Sequence, residues 1–174
     1  MSLKSSPDRY GTVPASIHWL SALAVILMLA SGQAMDWNGD LVGAILPFHV
    51  VLGLLVGVLT LFRVLWWLAF DRQPRPPAGM GPAQEWLARL VHLGLYVAIF
   101  VMVASGIAMI ALTGAAPQVF GGGPLPDFNA VAPFAAHSLV SKALLVLAIG
   151  HIGAALWHQF VQKDGLIARM RLGG

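Results

Sequence analysis

The sequence contains no cysteine, which excludes disulfides, thiolate metal sites and iron–sulfur clusters held by thiolates. Charge is scarce as well. Only 10% of the 174 residues are Asp, Glu, Lys or Arg, against 58% hydrophobic, so the chain lacks the polar inventory to cover a water-facing surface. Asp and Glu are missing from the long apolar runs. Proton relays and hard-cation sites usually employ those carboxylates, so a proton or metal-ion transporter is disfavoured. Lys and Arg are missing from residues 35–43 and 114–130.

What remains is a multi-pass membrane protein. Four apolar windows, about 14–34, 44–70, 86–113 and 131–162, each reach the roughly 20 residues that cross a hydrocarbon core of about 30 Å. Their connections are short, which predicts an all-α fold, an integral membrane four-helix bundle forming a single domain over residues 1–174. Lys4 and Arg9 precede the first window; Arg63, Arg72, Arg75 and Arg89 flank the second connection; Lys163, Arg169 and Arg171 follow the fourth window. The positive-inside rule then places both termini in the cytoplasm. The basic balance, net +3 with a pI near 9.8, is thus topology, and no nucleic acid partner follows from it. The stretch from Ile17 to Ala34 imitates a signal peptide, but cleavage there would remove His18 and leave an odd set of buried histidines. No internal repeat is evident at this level. The second connection, 71–85, is a Pro/Gly-rich loop; the third, 114–130, holds Pro117, Gly121, Gly122, Gly123, Pro124 and Pro126 and is expected to be irregular.

All six histidines lie inside the four long apolar windows. An ionisable group at membrane depth is a functional hypothesis by default, and neutral imidazole is a standard axial ligand of haem iron. His137 and His151 share the fourth window 14 residues apart, a spacing that returns to nearly the same helical face about 21 Å further along. Depth pairs His49 with His137 near the outer side. On the inner side His151 matches His18 more loosely, with His92 and His158 as rivals. Gly53 and Gly57 after His49, and Gly150 and Gly153 around His151, offer places for close backbone approach, although small residues also serve ordinary helix packing. Lys142 supplies the only positive charge of the outer leaflet, suited either to a haem propionate or to drawing in an anion, or to plain snorkelling.

These residues carry a resemblance. S-I-H-W-L at Ser16 to Leu20, H-V-x-x-G from His49 with Arg63 14 residues beyond that histidine, H-L-G-L-Y from His92, and H-x13-H-x6-H over His137, His151 and His158 resemble the bacterial cytochrome b561 family over nearly the whole chain. They are most like its small stand-alone members, superoxide oxidases among them. The resemblance implies two haems b (iron protoporphyrin IX), the outer held by His49 and His137 and the inner by His18 and His151. It implies a cytoplasmic-side quinone pocket flanked by Ser16 and His158, and a non-ligand role for His92. Arg63 suits inner-haem propionates, because guanidinium contacts carboxylates in pairs of hydrogen bonds. The implied function is transmembrane electron transfer between the outer face and ubiquinone, with superoxide as donor. The alternative is a cytochrome b subunit of a larger dehydrogenase or hydrogenase-type complex. One departure weakens the superoxide assignment: the outer loops hold Asp36, Asp40 and Asp127 and no Lys or Arg, whereas a site that gathers an anion benefits from positive potential. Membrane lipid is the expected surrounding; oligomeric state is not legible.

Overall fold

The computed structural model describes residues 2–77 and 79–172, and among them there is no strand. Met1, Ala78, Gly173 and Gly174 of the expected 1–174 domain lie outside the described residues. The chain forms α1 (Thr12–Trp37), α2 (Val42–Ala69), α3 (Pro82–Thr113), a short α4 (Ala116–Gly121) and α5 (Ala132–Trp157), which runs on into a π-helical turn over His158–Gln162. The four long helices are each long and apolar enough to span a membrane.

Local chemistry sets the ends. Pro14 falls in the first turn of α1, where a missing N–H costs nothing, and Pro82 opens α3 with Glu85 in the first turn favouring the positive helix end. α2 starts at Val42 behind a 3-10 turn, Gly39–Leu41, capped by the Asn38 side chain on the Asp40 N–H. Pro47 therefore lies in the second turn of α2. Lys163, with φ 55°, enters the left-handed region and ends the π turn. The third connection departs from expectation, because residues 116–121 are helical. Ala115 and Val119 are buried there, at 0% and 5% exposure, so an apolar anchor rather than glycine content decides its conformation.

Large apolar side chains point outward along the spans, Leu139 at 71% and Val146 at 70% exposure among them. Water would reject that surface and lipid accepts it. The chain divides into two compact units, and each of the four long helices contributes a segment to each. The first comprises Met1–Ala22, Leu59–Tyr96 and Val146–Gly174. Within it a β-carbon on Gly94 of α3 would meet Leu147 of α5 at 3.3 Å, and Arg63 of α2 reaches His18 of α1. The second comprises Leu23–Val58 and Val97–Leu145. There a β-carbon on Gly53 would come within 3.1 Å of Met28, and one on Gly57 within 3.0 Å of Val103, so these two glycines let α2 close on α1 and α3. Gly150 and Gly153 do no such work: nothing lies within 4 Å of a β-carbon at either.

The first unit carries a polar clasp beyond the spans. Asp71 accepts from the Ser5 N–H at 3.0 Å, the Ser5 hydroxyl at 2.9 Å, the Trp66 indole at 3.2 Å and the Arg72 N–H at 2.8 Å. Arg169 donates to the Asp8 and Arg75 carbonyls at 2.8 and 2.6 Å, tying the C-terminal segment to the N-terminal one and to the 71–77 loop. Partial burial pushes the Asp71 carboxyl up, but the four donors outweigh it and hold the group below the usual aspartate range. A depressed folded-state value contributes stability at pH values above the unfolded one, near 3.8, and that contribution is lost as pH falls through the folded one. Protease protection of the N-terminal segment in detergent should therefore weaken only below about pH 4. Asp71→Ala should lower stability by roughly 1–3 kcal/mol at neutral pH and abolish that acid sensitivity.

Candidate functional site

In the second unit His49 of α2 and His137 of α5 face each other, ring centres 6.4 Å apart and planes at 62°. In the first unit His18 of α1 and His151 of α5 stand 6.2 Å apart at 72°. An imidazole nitrogen bonds a transition-metal ion at roughly 2.0–2.1 Å and lies about 1.1 Å from its ring centre, so rings on opposite sides of one ion have centres about 6.3 Å apart. Both pairs match that spacing. His92 lies only 5.1 Å from His151, too close to admit an ion between the rings. Spacing thus separates His18 from its rival His92. Among the described residues no three His, Cys, Asp or Glu side chains gather into a metal cluster. Two-ligand sites suit a metal that brings its other ligands with it, as haem iron does.

Second-row partners differ between the two pairs. The Ser31 hydroxyl lies 2.8 Å from His49 Nδ1 and donates to the Met28 carbonyl at 3.0 Å. The Ser105 hydroxyl lies 2.9 Å from His137 Nδ1 and donates to the Val101 carbonyl at 2.7 Å. Sequence reasoning singled out neither serine. His92 Nδ1 donates to the Ala88 carbonyl at 2.7 Å, an intrahelical bond that explains its presence without a ligand role. Arg63 donates to His18 Nδ1 at 3.0 Å and sits 5.9 Å from the Tyr96 ring centre. A guanidinium has no acceptor, so His18 Nδ1 holds the lone pair here. The Nε of Arg63 and the hydroxyl of Ser21, one turn after His18, are buried without hydrogen-bond partners. Orphaned donors of this kind fit the carboxylates of a haem beside His18.

The remaining sequence candidates are dispersed. His158, in the π turn, pairs through Nδ1 with Asp164 at 2.5 Å, both side chains largely buried. Asp164 was not anticipated, because it lies past a left-handed residue where helical spacing no longer applies. Ser16 is half-buried on α1 and forms no hydrogen bond with His158. Near this end an open groove of about 370 Å³ is lined by Trp19, Gln159, Ile167, Ala168, Arg171 and Leu172. The Gln159 side-chain carbonyl is buried and unpartnered, and Trp19 donates to the Met170 carbonyl at 2.8 Å. Lys142 is exposed on the face of α5 and has no polar partner among the described residues.

Comparison with known proteins gives the family. The family described as prokaryotic cytochrome b561 matches residues 9–173. Cytochrome b561 homolog 2 of Escherichia coli (strain K12) is 32% identical over 179 residues, 98% of this chain and 95% of that protein. Cytochrome b562 of Cereibacter sphaeroides is 32% identical over 168 residues, 92% and 94% of the two chains. A probable superoxide oxidase CybB of Yersinia pestis is 28% identical over 174 residues, 93% and 95%. With four spanning helices and a family match over almost its full length, the chain belongs to the prokaryotic cytochrome b561 family of membrane proteins that bind haem b and transfer electrons.

Proposed function

We propose that the protein is a stand-alone di-haem b oxidoreductase of the bacterial inner membrane, which oxidises superoxide at its outer face and reduces ubiquinone. The observation that carries this reading is the pair of facing imidazoles in each unit, spaced at 6.2 and 6.4 Å for one ion apiece. His49 and His137 would hold one haem and His18 and His151 the other; bound there, haem supplies reversible one-electron chemistry. With haem bound, Arg63 would turn from His18 to the inner propionates, leaving His18 Nδ1 to carry the proton and Nε2 to ligate. Lys142 provides positive potential at the outer face against the acidic loops.

The overall chemistry balances as two superoxide anions losing one electron each to leave as dioxygen, while quinone gains two electrons and two protons to become quinol. The protons are the task of the cytoplasmic end. His158, held through Nδ1 by Asp164, presents Nε2 to a quinone oxygen, with Ser16 as a second polar contact. The Gln159 carbonyl and the adjoining groove offer room and an acceptor for the quinol. Rapid mixing of the purified protein with superoxide should reduce its haems, and a soluble quinone should reoxidise them. If superoxide leaves the haems oxidised while a dehydrogenase partner reduces them, the subunit reading replaces this one.

Orientation follows from the arginines and lysines around the second connection and the termini. A reporter fused to the C-terminus should be active as a cytoplasmic reporter and silent as an exported one, and the opposite pattern would reverse the two faces.

A further inference from the structure

The second unit contains a repeat that is hard to see in the sequence until the structure aligns it. Residues 30–35 of α1 read Ala-Ser-Gly-Gln-Ala-Met and residues 104–109 of α3 read Ala-Ser-Gly-Ile-Ala-Met. Each hexapeptide meets one histidine of the pair, and in the same way. The serine oxygen lies 2.8 Å from His49 Nδ1 in one case and 2.9 Å from His137 Nδ1 in the other. A β-carbon on the following glycine, Gly32 or Gly106, would come to 3.5 Å from ring Cε1 in both. Both serines are nearly fully buried, at 9% and 7% exposure.

The direction of these bonds can be assigned. A carbonyl oxygen has no proton to give, so each serine must spend its single hydroxyl proton on its own helix: Ser31 on Met28, Ser105 on Val101 and Met102. The contact to each ring must then take its proton from Nδ1. Nε2 is left as the lone pair on both histidines, the form a metal ligand requires. His18 is not held this way, since Arg63 donates to its Nδ1.

We propose that the two Ala-Ser-Gly-x-Ala-Met segments are matched histidine clamps, in which Ser31 and Ser105 are positioning residues that fix the tautomer and donor strength of the axial ligands of the His49–His137 haem. This rests on the reading that His49 and His137 ligate one haem. An acceptor on Nδ1–H makes an imidazole a stronger donor to iron, and a stronger donor favours the ferric state. The clamps therefore lower the midpoint potential of this haem and leave the His18–His151 haem untouched.

The test is redox titration of the detergent-purified holoprotein, with low-spin ferric EPR as a second readout. Ser31→Ala and Ser105→Ala should each weaken the ferric-over-ferrous preference of one haem about tenfold, an upward shift of about 59 mV for one electron. The other haem should keep its potential and its EPR signal. Ser31→Thr and Ser105→Thr retain the hydroxyl and should restore the potential of the unmodified protein. If an alanine variant loses that haem altogether while its threonine counterpart keeps it, the clamp also stands. Unchanged potential and EPR in the alanine variants, equal shifts in both haems, or equal loss in the alanine and threonine variants would overturn it. Failure of the ligand reading is separable, because His49→Ala would then leave the haem content of the protein intact.

Discussion

Replacing His49 or His137 with Ala should halve the haem content of the purified protein, and replacing His18 or His151 should halve it by removing the other haem. The expectation follows from spacing: each ring pair is set for one ion, and among the described residues no third His, Cys, Asp or Glu joins the His49–His137 pair. Bis-imidazole ligation fails when one ligand is cut to a methyl group, since the residual single bond leaves the iron open to water. His92 is the informative control. It lies beside His151 at 5.1 Å with its Nδ1 tied to Ala88, so His92→Ala should retain both haems. Haem extraction and reduced-minus-oxidised spectra of the four variants read this directly. Retention of full haem content in any one of them would remove that histidine from the ligand set.

The second large effect concerns the end of α5 that carries His158. His158→Ala should keep both haems reducible by superoxide while slowing their reoxidation by quinone at least about tenfold, the lower range for losing a positioned acid–base group. The structure adds a second handle, because Asp164 grips His158 Nδ1 at 2.5 Å. Asp164→Asn keeps the shape but loses the charge that steadies an imidazolium after it takes up a proton. It should slow the same step with little change in quinone affinity, and a stopped-flow series over quinone concentration separates the two. Quinone turnover that is unchanged in both variants, with haem content intact, would make the pair a structural feature of the π turn.

Much of this architecture was legible because membrane spanning restricts the menu. Length and apolarity give four helices, and helical rise converts sequence position to depth, which is why His49 and His137 could be paired before any coordinates. The inner pair was ambiguous on depth alone, with His92 and His158 as rivals; the family resemblance named His18, and ring spacing also distinguishes His18 from His92. Contacts between distant segments were not legible. Arg63 reaches His18 across 45 positions, and a sequence gives no sign whether a guanidinium turns to a ring or to a carboxylate. Ser31 and Ser105 were invisible because serine beside glycine in an apolar helix is what ordinary packing looks like. The signal that marks them is the repetition of the hexapeptide. Asp164 escaped because the chain leaves helical geometry at Lys163.

The central claim is that one small chain holds two haems, each between two histidines of different helices. Quantitative haem extraction from the unmodified, monodisperse protein, with protein determined by amino-acid analysis, measures it in one number. Two haems b per chain is the expected result, and a ratio of one would contradict the assignment.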